Sequence, residues 1–431
     1  MEHIQESARS IEVAGKYDVV VVGGGPAGFT AAVSAARMGA STLLVEQSGM
    51  IGGIATAGLM SHWGGWASSS ILNELLDKAA KPGPEEECSD KKCINPEKLK
   101  FLMLEMLYEE RVTVLLYSFC ADVIKEGDRV RGVIVESKSG RRAMLGSVVI
   151  DASGDGDAAW KAGAAFQKGR NGDGKMQPVT VMCKVGGVDL GSAVFPGSFE
   201  TNLEVPKGKV QDLARKHLPL PAGHTLLYPS TLPGVVTVNM TNFIGIDGTR
   251  AEDLTRGEYE CRKQIDKIVA FIREFIPGYE HCFLISTSSL IGVRETRHFI
   301  GEYVFNEDDI LASKVFDDWI VANATFNFDI HNIEGPGLDK HGAQHEFPKI
   351  TGYTIPYRAL VPEKIDGLLL AGRNISGTHK AHSNYRVMPI CAAMGEGAGI
   401  AAALAAKKGV APRRVDVKEV QDVLRSRGVH P

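Results

Sequence analysis

The segment Tyr17–Glu46, YDVVVVGGGPAGFTAAVSAARMGASTLLVE, decides the fold of this chain. Its first six residues form a short and almost wholly apolar run, which is typical of a parallel strand buried on both faces. Gly23, Gly25 and Gly28 follow in the pattern G-x-G-x-x-G, and a segment with helical spacing leads to a second buried strand that ends at Glu46. Strand, glycines, helix, strand and acid in this order predict a β-α-β unit that binds a dinucleotide.

Each glycine of this pattern has a physical role. The first allows the tight turn, the second lets backbone amides approach a pyrophosphate, and the third lets the helix pack closely on the strand. The helix that begins near Pro26 and Ala27 would direct its amino terminus at the phosphates. Glu46 lies where a carboxylate accepts hydrogen bonds from ribose hydroxyls and repels a 2′-phosphate, so NADP is disfavoured. This unit alone does not distinguish FAD from NAD.

A second match to the glycine pattern occurs in the run SVVIDASGDGDAA, which contains Gly154 and Gly156. Asp155 and Asp157 lie among the amides that would have to hold a diphosphate, and their charges oppose an anion there. We therefore expect a strand that returns to the same sheet, with its glycine turn near the first nucleotide, and not an independent NAD site.

A third strand and helix lie near the other end of the chain. Residues 365–374, IDGLLLAGRN, predict a buried strand that ends in a glycine and a polar loop, and the run RVMPICAAMGEGAGIAAALAA predicts a helix with few large side chains. Glycine costs up to ~1 kcal/mol per helix position relative to alanine, so Gly395, Gly397 and Gly399 need a packing reason. We expect the later half of this helix to pack on the helix near Pro26, and its first turn to face the ligand.

These segments together resemble the glutathione-reductase-like FAD-dependent oxidoreductases, and more narrowly the bacterial FAD dependent oxidoreductase group. The resemblance is carried by GGGPAG with Glu46, IGGIATAG, IDASGDGDAA, IPYRALVP, LLLAGRN and RVMPICAAMGEGAG, and it covers about Tyr17 to Ala406. It implies an α/β fold in which both chain ends build a Rossmann-like FAD-binding domain and a β-rich α+β substrate domain is inserted. The predicted parts are an N-terminal extension (1–16), the FAD-binding domain (17–160 and 355–431) and the substrate domain (161–354).

The same resemblance implies FAD as the cofactor and assigns residues to it. They are Gly23, Gly25, Pro26, Ala27, Gly28, Glu46, Gly52, Gly53, Ala55, Thr56, Asp151, Gly154, Gly372, Arg373, Met388, Pro389 and Ile390. The glycine turn would hold the pyrophosphate and Glu46 the adenosine ribose, while Gly372 and Arg373 would meet the ribityl and phosphate region. The chain departs from the disulfide reductases of this superfamily, because Cys88 and Cys93 lie in a charged loop far from the second glycine pair.

The segment THKAHSNYR joins the predicted flavin strand to the predicted flavin helix, so it should lie close to the flavin ring. We predict that His382 is the base that takes a hydroxyl or amine proton while a hydride moves to flavin N5. Arg386 or Arg294 would orient the substrate. For His379, a hydrogen bond to the ribityl chain or to the backbone is the favoured interpretation.

The run IGVRETRHFIG is strand-like, and a strand would place Arg294 and His298 on one face. Arg294 either binds a polar or carboxylate-bearing substrate or forms an internal salt bridge with Glu295 or Glu302. For Arg297 the salt bridge is favoured.

A histidine-rich stretch follows, with His331, His341 and His345 among several acids. Its glycines and proline exclude a helix, and the spacing fixes no ligand set, so we predict a lid or a loop over the flavin and no metal.

Composition limits the remaining possibilities. A formal net charge of -4 gives no reason to expect nucleic acid, and no apolar run reaches the length of a membrane span. The first residues lack the apolar region of a secretory signal, so we expect a cytoplasmic protein with reduced thiols.

We therefore predict an enzyme that transfers a hydride from a small alcohol, sugar or amine to flavin N5 and passes electrons to an unidentified acceptor. Homo-oligomerisation is left open. The alternatives are a flavin reductase charged by NAD(P)H and an FAD-binding protein of RNA modification or assembly. The acidic net charge and the lack of a basic tail count against the RNA-related alternative.

Overall fold

The structure, a computed structural model, describes residues 3–80, 86, 93–339 and 350–431. The strands are β1 (Glu12–Val22), β2 (Thr42–Val45), β3 (Trp66–Ser68), β4 (Thr113–Leu115), β5 (Phe119–Glu126), β6 (Arg129–Ser137), β7 (Gly140–Asp151), β8 (Phe166–Lys168), β9 (Cys183–Gly186), β10 (Glu204–Val205), β11 (Gly208–Lys209), β12 (Leu227–Pro229), β13 (Val236–Val238), β14 (Phe283–Thr287), β15 (Arg297–Phe299), β16 (Trp319–Thr325), β17 (Tyr353–Pro356) and β18 (Leu368–Leu370). The helices are α1 (Pro26–Arg37), α2 (Ser70–Ala79), α3 (Pro96–Glu109), α4 (Asp157–Ala162), α5 (Val210–His217), α6 (Ala251–Phe275), α7 (Glu307–Leu311), α8 (His379–Tyr385), α9 (Met388–Lys408) and α10 (Val417–Ser426).

The largest sheet has the order β4-β2-β1-β7-β6-β5, with β18 paired to the end of β7. Strands β4, β2, β1, β7 and β18 are parallel, whereas β6 runs antiparallel to β7 and β5 antiparallel to β6. The predicted β-α-β unit is confirmed as β1, α1 and β2, and the predicted returning strand is β7. The α/β fold class with a Rossmann-like parallel sheet is therefore confirmed, and strands from both chain ends form it.

The glycine turn after β1 is packed against the turn after β7. Gly23 has a φ of +97°, and a Cβ there would come within 2.5 Å of the Ala152 carbonyl oxygen. A Cβ on Gly28 would lie 1.8 Å from the Gly23 carbonyl oxygen. The first and third glycines thus do what the sequence pattern requires of them, because only a residue without a side chain fits at either position.

Helix α9 packs on α1, as the sequence predicted. Thr30 Oγ1 donates to the Ala392 carbonyl oxygen at 2.6 Å, and Ser34 Oγ donates to the Glu396 carbonyl oxygen at 2.9 Å. The Glu396 carboxylate, buried on the same helix, accepts from Ser69 Oγ at 2.6 Å near the start of α2. Gly395 and Gly399 therefore allow close contact between the backbones of α9 and α1, whereas Gly397 lies against Ile320 of β16.

A second hydrophobic core lies in the middle of the chain, between Val179 and Ile291. It contains an antiparallel sheet of order β12-β13-β9-β14, together with α5 and α6. The main core contains residues of β16 and β17 as well as both chain ends. The predicted domain boundaries at 160 and 354 stay predictions.

Among the described residues, helix α9 has the length and apolar composition of a membrane span, and its apolar window is fully buried in the fold. Cys93, which the sequence analysis assigned to a charged loop, is buried, and its Sγ lies 2.9 Å from the Pro229 carbonyl oxygen. Cys88, His341 and His345 lie outside the described residues, so the predictions about them stay open.

Candidate active site

A cavity of about 550 Å³ extends from the glycine turn after β1 to the antiparallel sheet of the second core. Its walls come from the turns after β1, β7 and β18, from the loop between β16 and β17, and from the first turn of α9. The carboxyl ends of three parallel strands therefore open into one space, which is where open α/β sheets bind their ligands.

Ten of the residues predicted for FAD line this cavity. They are Gly23, Gly25, Pro26, Ala27, Glu46, Gly53, Gly154, Gly372, Arg373 and Met388. Seven others are not among the lining residues, although all but Thr56 are adjacent to one in sequence: Gly28, Gly52, Ala55, Thr56, Asp151, Pro389 and Ile390. The structure therefore brings residues from three distant segments to one surface.

The nucleotide end of the cavity has the form of a cradle. Gly25 caps the amino terminus of α1, and a Cβ there would meet nothing within 4 Å. Glu46 Oε2 accepts a hydrogen bond from Gly24 N at 2.7 Å, and its Oε1 accepts one from Ser48 N at 2.7 Å. A carboxylate, exposed backbone and a helix amino terminus are thus held together on one wall, an arrangement suited to a ribose and a diphosphate.

Asp151, at the end of β7, supports this wall from behind. Its Oδ1 accepts from Ser153 N and Ser153 Oγ, and its Oδ2 accepts from Ala159 N at 2.7 Å. Burial raises the pKa of Asp151 to about 6, although these hydrogen bonds act to lower it. Asp151 therefore shapes the turn through which Gly154 reaches the cavity.

Arg373 follows β18 and lines the same end of the cavity. Its Nη2 donates to Asp155 Oδ1 at 3.0 Å, and a Cβ on Gly372, which has a φ of +101°, would lie 3.3 Å from Ala27 Cβ. Arg373 thus ties the turn after β18 to the turn after β7. The carboxylate of Asp155, which we expected to repel a second diphosphate, is paired with this guanidinium.

The other end of the cavity is lined by the buried Arg294, the partly buried Arg386 and the carboxylate of Asp329. Arg294 donates to the Pro178 carbonyl oxygen at 2.6 Å, and no ion pair of Arg294 occurs among the described residues. Arg386 Nη2 donates to Asp329 Oδ2 at 2.9 Å. Burial and the charge of Arg386 lower the pKa of Arg294 to about 10, although the charge of Asp329 acts to raise it. In the part of the chain that the structure describes, these two guanidinium groups and the carboxylate of Asp329 leave this end with excess positive charge.

His331 lies beside this group and lines the cavity. Its Nε2 is 3.4 Å from Asp329 Oδ2, and Phe199 packs edge-on against its ring with centroids 5.0 Å apart. Burial, together with the charge of Arg294, lowers the pKa of His331 to about 4. The imidazole is therefore neutral at pH 7 and oriented by a carboxylate, which is the arrangement of a general base.

His382 is not among the residues that line the cavity, so its position does not support contact with substrate. The side chain is buried, and its ring meets the ring of His298 edge-on with centroids 4.6 Å apart. Burial holds the pKa of His382 well below its usual range. The helix α8 that carries His382 does approach the cavity, but through Arg386 at its carboxyl end.

The predicted sharing of one strand face by Arg294 and His298 is wrong. Strand β15 begins only at Arg297, and Arg294 lines the main cavity, whereas His298 lines a separate pocket of about 190 Å³. Arg297 forms a salt bridge as predicted, although its partner is Asp157 at 3.0 Å. His379 makes its closest hydrogen bond with a side chain, Glu295 Oε1 at 2.6 Å.

Sequence reasoning missed several residues of the substrate end: Asp329, Tyr228, Asn239 and His62, which all line the cavity. His62 stacks on Tyr228 with ring centroids 4.9 Å apart. They come from three segments of the chain, around residues 62, 228–239 and 329, so no local spacing connects all of them. For Asp329 a signal was available, because the loop that contains it was predicted to lie over the flavin.

Comparison with known proteins supports the same fold and cofactor. The chain matches the family described as FAD dependent oxidoreductase over residues 18–424. Dihydrolipoyl dehydrogenase of Trypanosoma brucei brucei is 51% identical over 45 residues, which are 10% of this chain and 9% of that protein. Mitochondrial dihydrolipoyl dehydrogenase of Schizosaccharomyces pombe is 49% identical over 39 residues, 9% of this chain and 8% of that protein. The matched segments thus span about a tenth of these relatives.

A solved structure shares the architecture over nearly the whole chain. A geranylgeranyl bacteriochlorophyll reductase-like protein of Thermoplasma acidophilum superimposes with a TM-score of 0.51 at 16% identity, covering 96% of this chain and 84% of that chain. For p-nitrophenol 4-monooxygenase of Pseudomonas putida the TM-score is 0.49 at 12% identity, covering 95% of this chain and 83% of that chain. At such identities the comparison with the Thermoplasma protein establishes the fold and not the substrate.

Proposed function

Because the chain belongs to the FAD dependent oxidoreductase family, we propose that it oxidises a small alcohol, sugar or amine that carries an anionic group, by hydride transfer to flavin N5. The family establishes an FAD-dependent oxidoreductase. The class of substrate and the roles of the residues below are our proposal.

The nucleotide end of the cavity fits FAD. The space over Gly25 is open, the amino terminus of α1 faces it, and Glu46 is fixed beside it by two backbone amides. Gly372 and Arg373 would hold the middle of the cofactor, and Met388 would contact it from the first turn of α9. When bound, FAD supplies the acceptor for the two electrons that leave the substrate.

The observation that carries the proposal is the state of Arg294. A buried guanidinium is costly unless a negative charge compensates it, and among the described residues Arg294 donates only to a carbonyl oxygen, that of Pro178. Asp329, whose charge acts on Arg294, already accepts from Arg386. A substrate carboxylate or phosphate would supply the missing charge, and guanidinium groups bind such anions in a bidentate manner.

His331 is the proposed base in place of His382, since it lines the cavity and Asp329 orients it. It would take the proton of the substrate hydroxyl or amine as the hydride leaves the adjacent carbon. An anion bound by Arg294 and Arg386 offsets their charge. It therefore raises the pKa of His331 from its low value toward the range in which a base is effective at neutral pH.

The test is anaerobic bleaching of the FAD-loaded protein by matched pairs of compounds that differ only in an anionic group, such as 2-hydroxy acids and the corresponding diols. We expect rapid bleaching by the anionic member only. Arg294→Met, which keeps the volume and removes the charge, should abolish the preference and leave FAD bound. Equal bleaching by both members of each pair would contradict the proposal.

The same assay separates the alternatives. Bleaching by NADH or NADPH, with none by polar metabolites, would favour the flavin reductase, and a salt-sensitive complex with tRNA would favour a role in RNA modification. The closer placement among glutathione-reductase-like enzymes, the cytoplasmic location and the unidentified electron acceptor are further parts of the proposal.

A further inference from the structure

Three imidazoles and one carboxylate form a buried cluster outside the residues that line the main cavity. Glu295, His298 and His382 each offer one ligand atom, and these atoms lie within 4.8 Å of one another. All three residues are at most 3% exposed. His379 joins them through its Nδ1, which is 2.6 Å from Glu295 Oε1. The residues come from the segment before β15 and from α8, so the fold assembles the cluster from distant parts of the chain.

The cluster has unsatisfied coordination capacity. Among the described residues, His382 Nδ1 is buried without a hydrogen-bond partner, which is uncommon for polar atoms in protein interiors. Glu295 Oε1 is 2.8 Å from His298 Nε2, so the carboxylate already draws one imidazole to it. We propose that Glu295, His298 and His382 bind one divalent transition-metal ion, for which zinc is the best match. Two imidazoles and a carboxylate are a known ligand set for zinc.

The distances require only small shifts. A tetrahedral zinc ion with bonds of ~2.0–2.1 Å separates its ligand atoms by about 3.4 Å. Binding would therefore widen the contact of Glu295 with His298 and draw the ring of His382 inward. The ion replaces the proton between the carboxylate and the imidazole. His379 then orients the carboxylate by its hydrogen bond, and the pocket of about 190 Å³ lined by His298 and His379 provides room for a water ligand.

A bound metal ion would also affect the two arginines of the cavity, and this inference about the arginines depends on the proposed function. Arg294 directly precedes Glu295, and Arg386 N donates to the His382 carbonyl oxygen at 3.1 Å, one turn along α8. An ion held by Glu295 and His382 would therefore fix the backbone positions from which both guanidinium groups enter the cavity. Its role would be to position them, with no contact with substrate.

The experiment measures metal in the FAD-loaded protein. After dialysis against a chelator and then against buffered zinc, atomic emission should give one zinc per chain, and the apparent melting temperature should rise with zinc. Glu295→Gln and His382→Ala should each weaken zinc binding by at least about a hundredfold, since each removes a direct ligand. His217→Ala, which removes an exposed histidine of α5, should bind zinc as the wild type does.

Zinc content far below one per chain at saturating zinc would overturn the proposal, as would equal retention in all three variants. If the ligand variants do not fold, cobalt binding to the wild type decides the matter. A tetrahedral site gives intense cobalt absorption bands beyond the flavin bands, whereas an adventitious octahedral ion gives weak ones. Neither measurement uses substrate, so failure here is distinct from failure of the proposed oxidation.

Discussion

Gly395 of α9 lies directly against the backbone of Ala27 in α1: a Cβ on Gly395 would come within 2.0 Å of the Ala27 carbonyl oxygen. Ala27 follows the glycine turn, and Met388, at the start of α9, lines the same cavity. The contact between the two helices therefore fixes how the two ends of the chain meet around the cofactor. A small displacement there would change the cradle as well as the core.

The first prediction concerns this contact. Gly395→Ala should lower the free energy of unfolding by about 2 kcal/mol, because the cost of overpacking against backbone exceeds the gain in helix propensity. Gly197→Ala is the control, since a Cβ at Gly197 meets nothing within 4 Å and should change stability by less than ~0.5 kcal/mol. Urea unfolding of the apoprotein measures both. Equal stability of the two variants would contradict the proposed packing.

Two glycines of one turn should respond in opposite ways to the same substitution. Gly25→Ala places a methyl group in open space over the cavity, so the apoprotein should keep its stability while FAD affinity falls by about tenfold or more. Gly28→Ala should instead destabilise the apoprotein, because its Cβ would lie 1.8 Å from the Gly23 carbonyl oxygen. Thermal unfolding and flavin fluorescence titration separate the two effects. Unchanged FAD affinity in Gly25→Ala would place the diphosphate elsewhere.

The nucleotide end of the site could be predicted from the sequence because it depends on local geometry. Gly23, Gly25 and Gly28 are constrained by one turn, and the turn follows from spacing alone. The packing partner of α9 could also be predicted, because Gly395 and Gly399 lie one turn apart and indicate close approach of another backbone. A contact between helices more than three hundred residues apart in the chain could be predicted only because both helices have a recognisable sequence pattern.

The substrate end could not be predicted in this way. His382 is close to the flavin loop along the chain, yet α8 turns its ring toward His298 and leaves Arg386 to reach the cavity. Asp329 and His331 acquire their properties from burial beside Arg294, which is a tertiary effect without periodicity. A strand pattern around Arg294 failed because β15 is only three residues long.

Stability should fall in mild acid in part because of His224. Burial, with the charges of His331 and Arg294, lowers the pKa of His224 to about 3, while the unfolded chain binds a proton at an ordinary histidine pKa of ~6.5. Between these values the unfolded state binds more protons, so the free energy of unfolding decreases as the pH falls through 6.5. His224 alone should make the protein less stable at pH 5 than at pH 7 by about 2 kcal/mol.

His224→Leu tests this contribution, because leucine has a similar volume and does not titrate. Urea unfolding at several pH values between 5 and 7 should show a shallower pH dependence for the variant than for the wild type. Carboxylates contribute to both proteins alike, so the difference between the two slopes isolates His224. Parallel slopes would mean that this imidazole has the same pKa in the folded and unfolded states, which would contradict the prediction.

The last prediction concerns the pH dependence of flavin reduction and the identity of the base. The second-order rate constant of anaerobic bleaching reports protonation of the free enzyme, in which the pKa of His331 is lowered to about 4. Since His331 must be neutral to accept a proton, the rate constant should be flat between about pH 6 and 8 and fall only as the pH approaches 4. With a base of ordinary histidine pKa, the rate constant would already fall below pH ~6.5.

His331→Gln should slow bleaching by roughly 10²- to 10⁴-fold and remove the acid limb, with FAD still bound. His217→Gln should keep the wild-type profile, and an acid limb that persists in His331→Gln would show that another group accepts the proton.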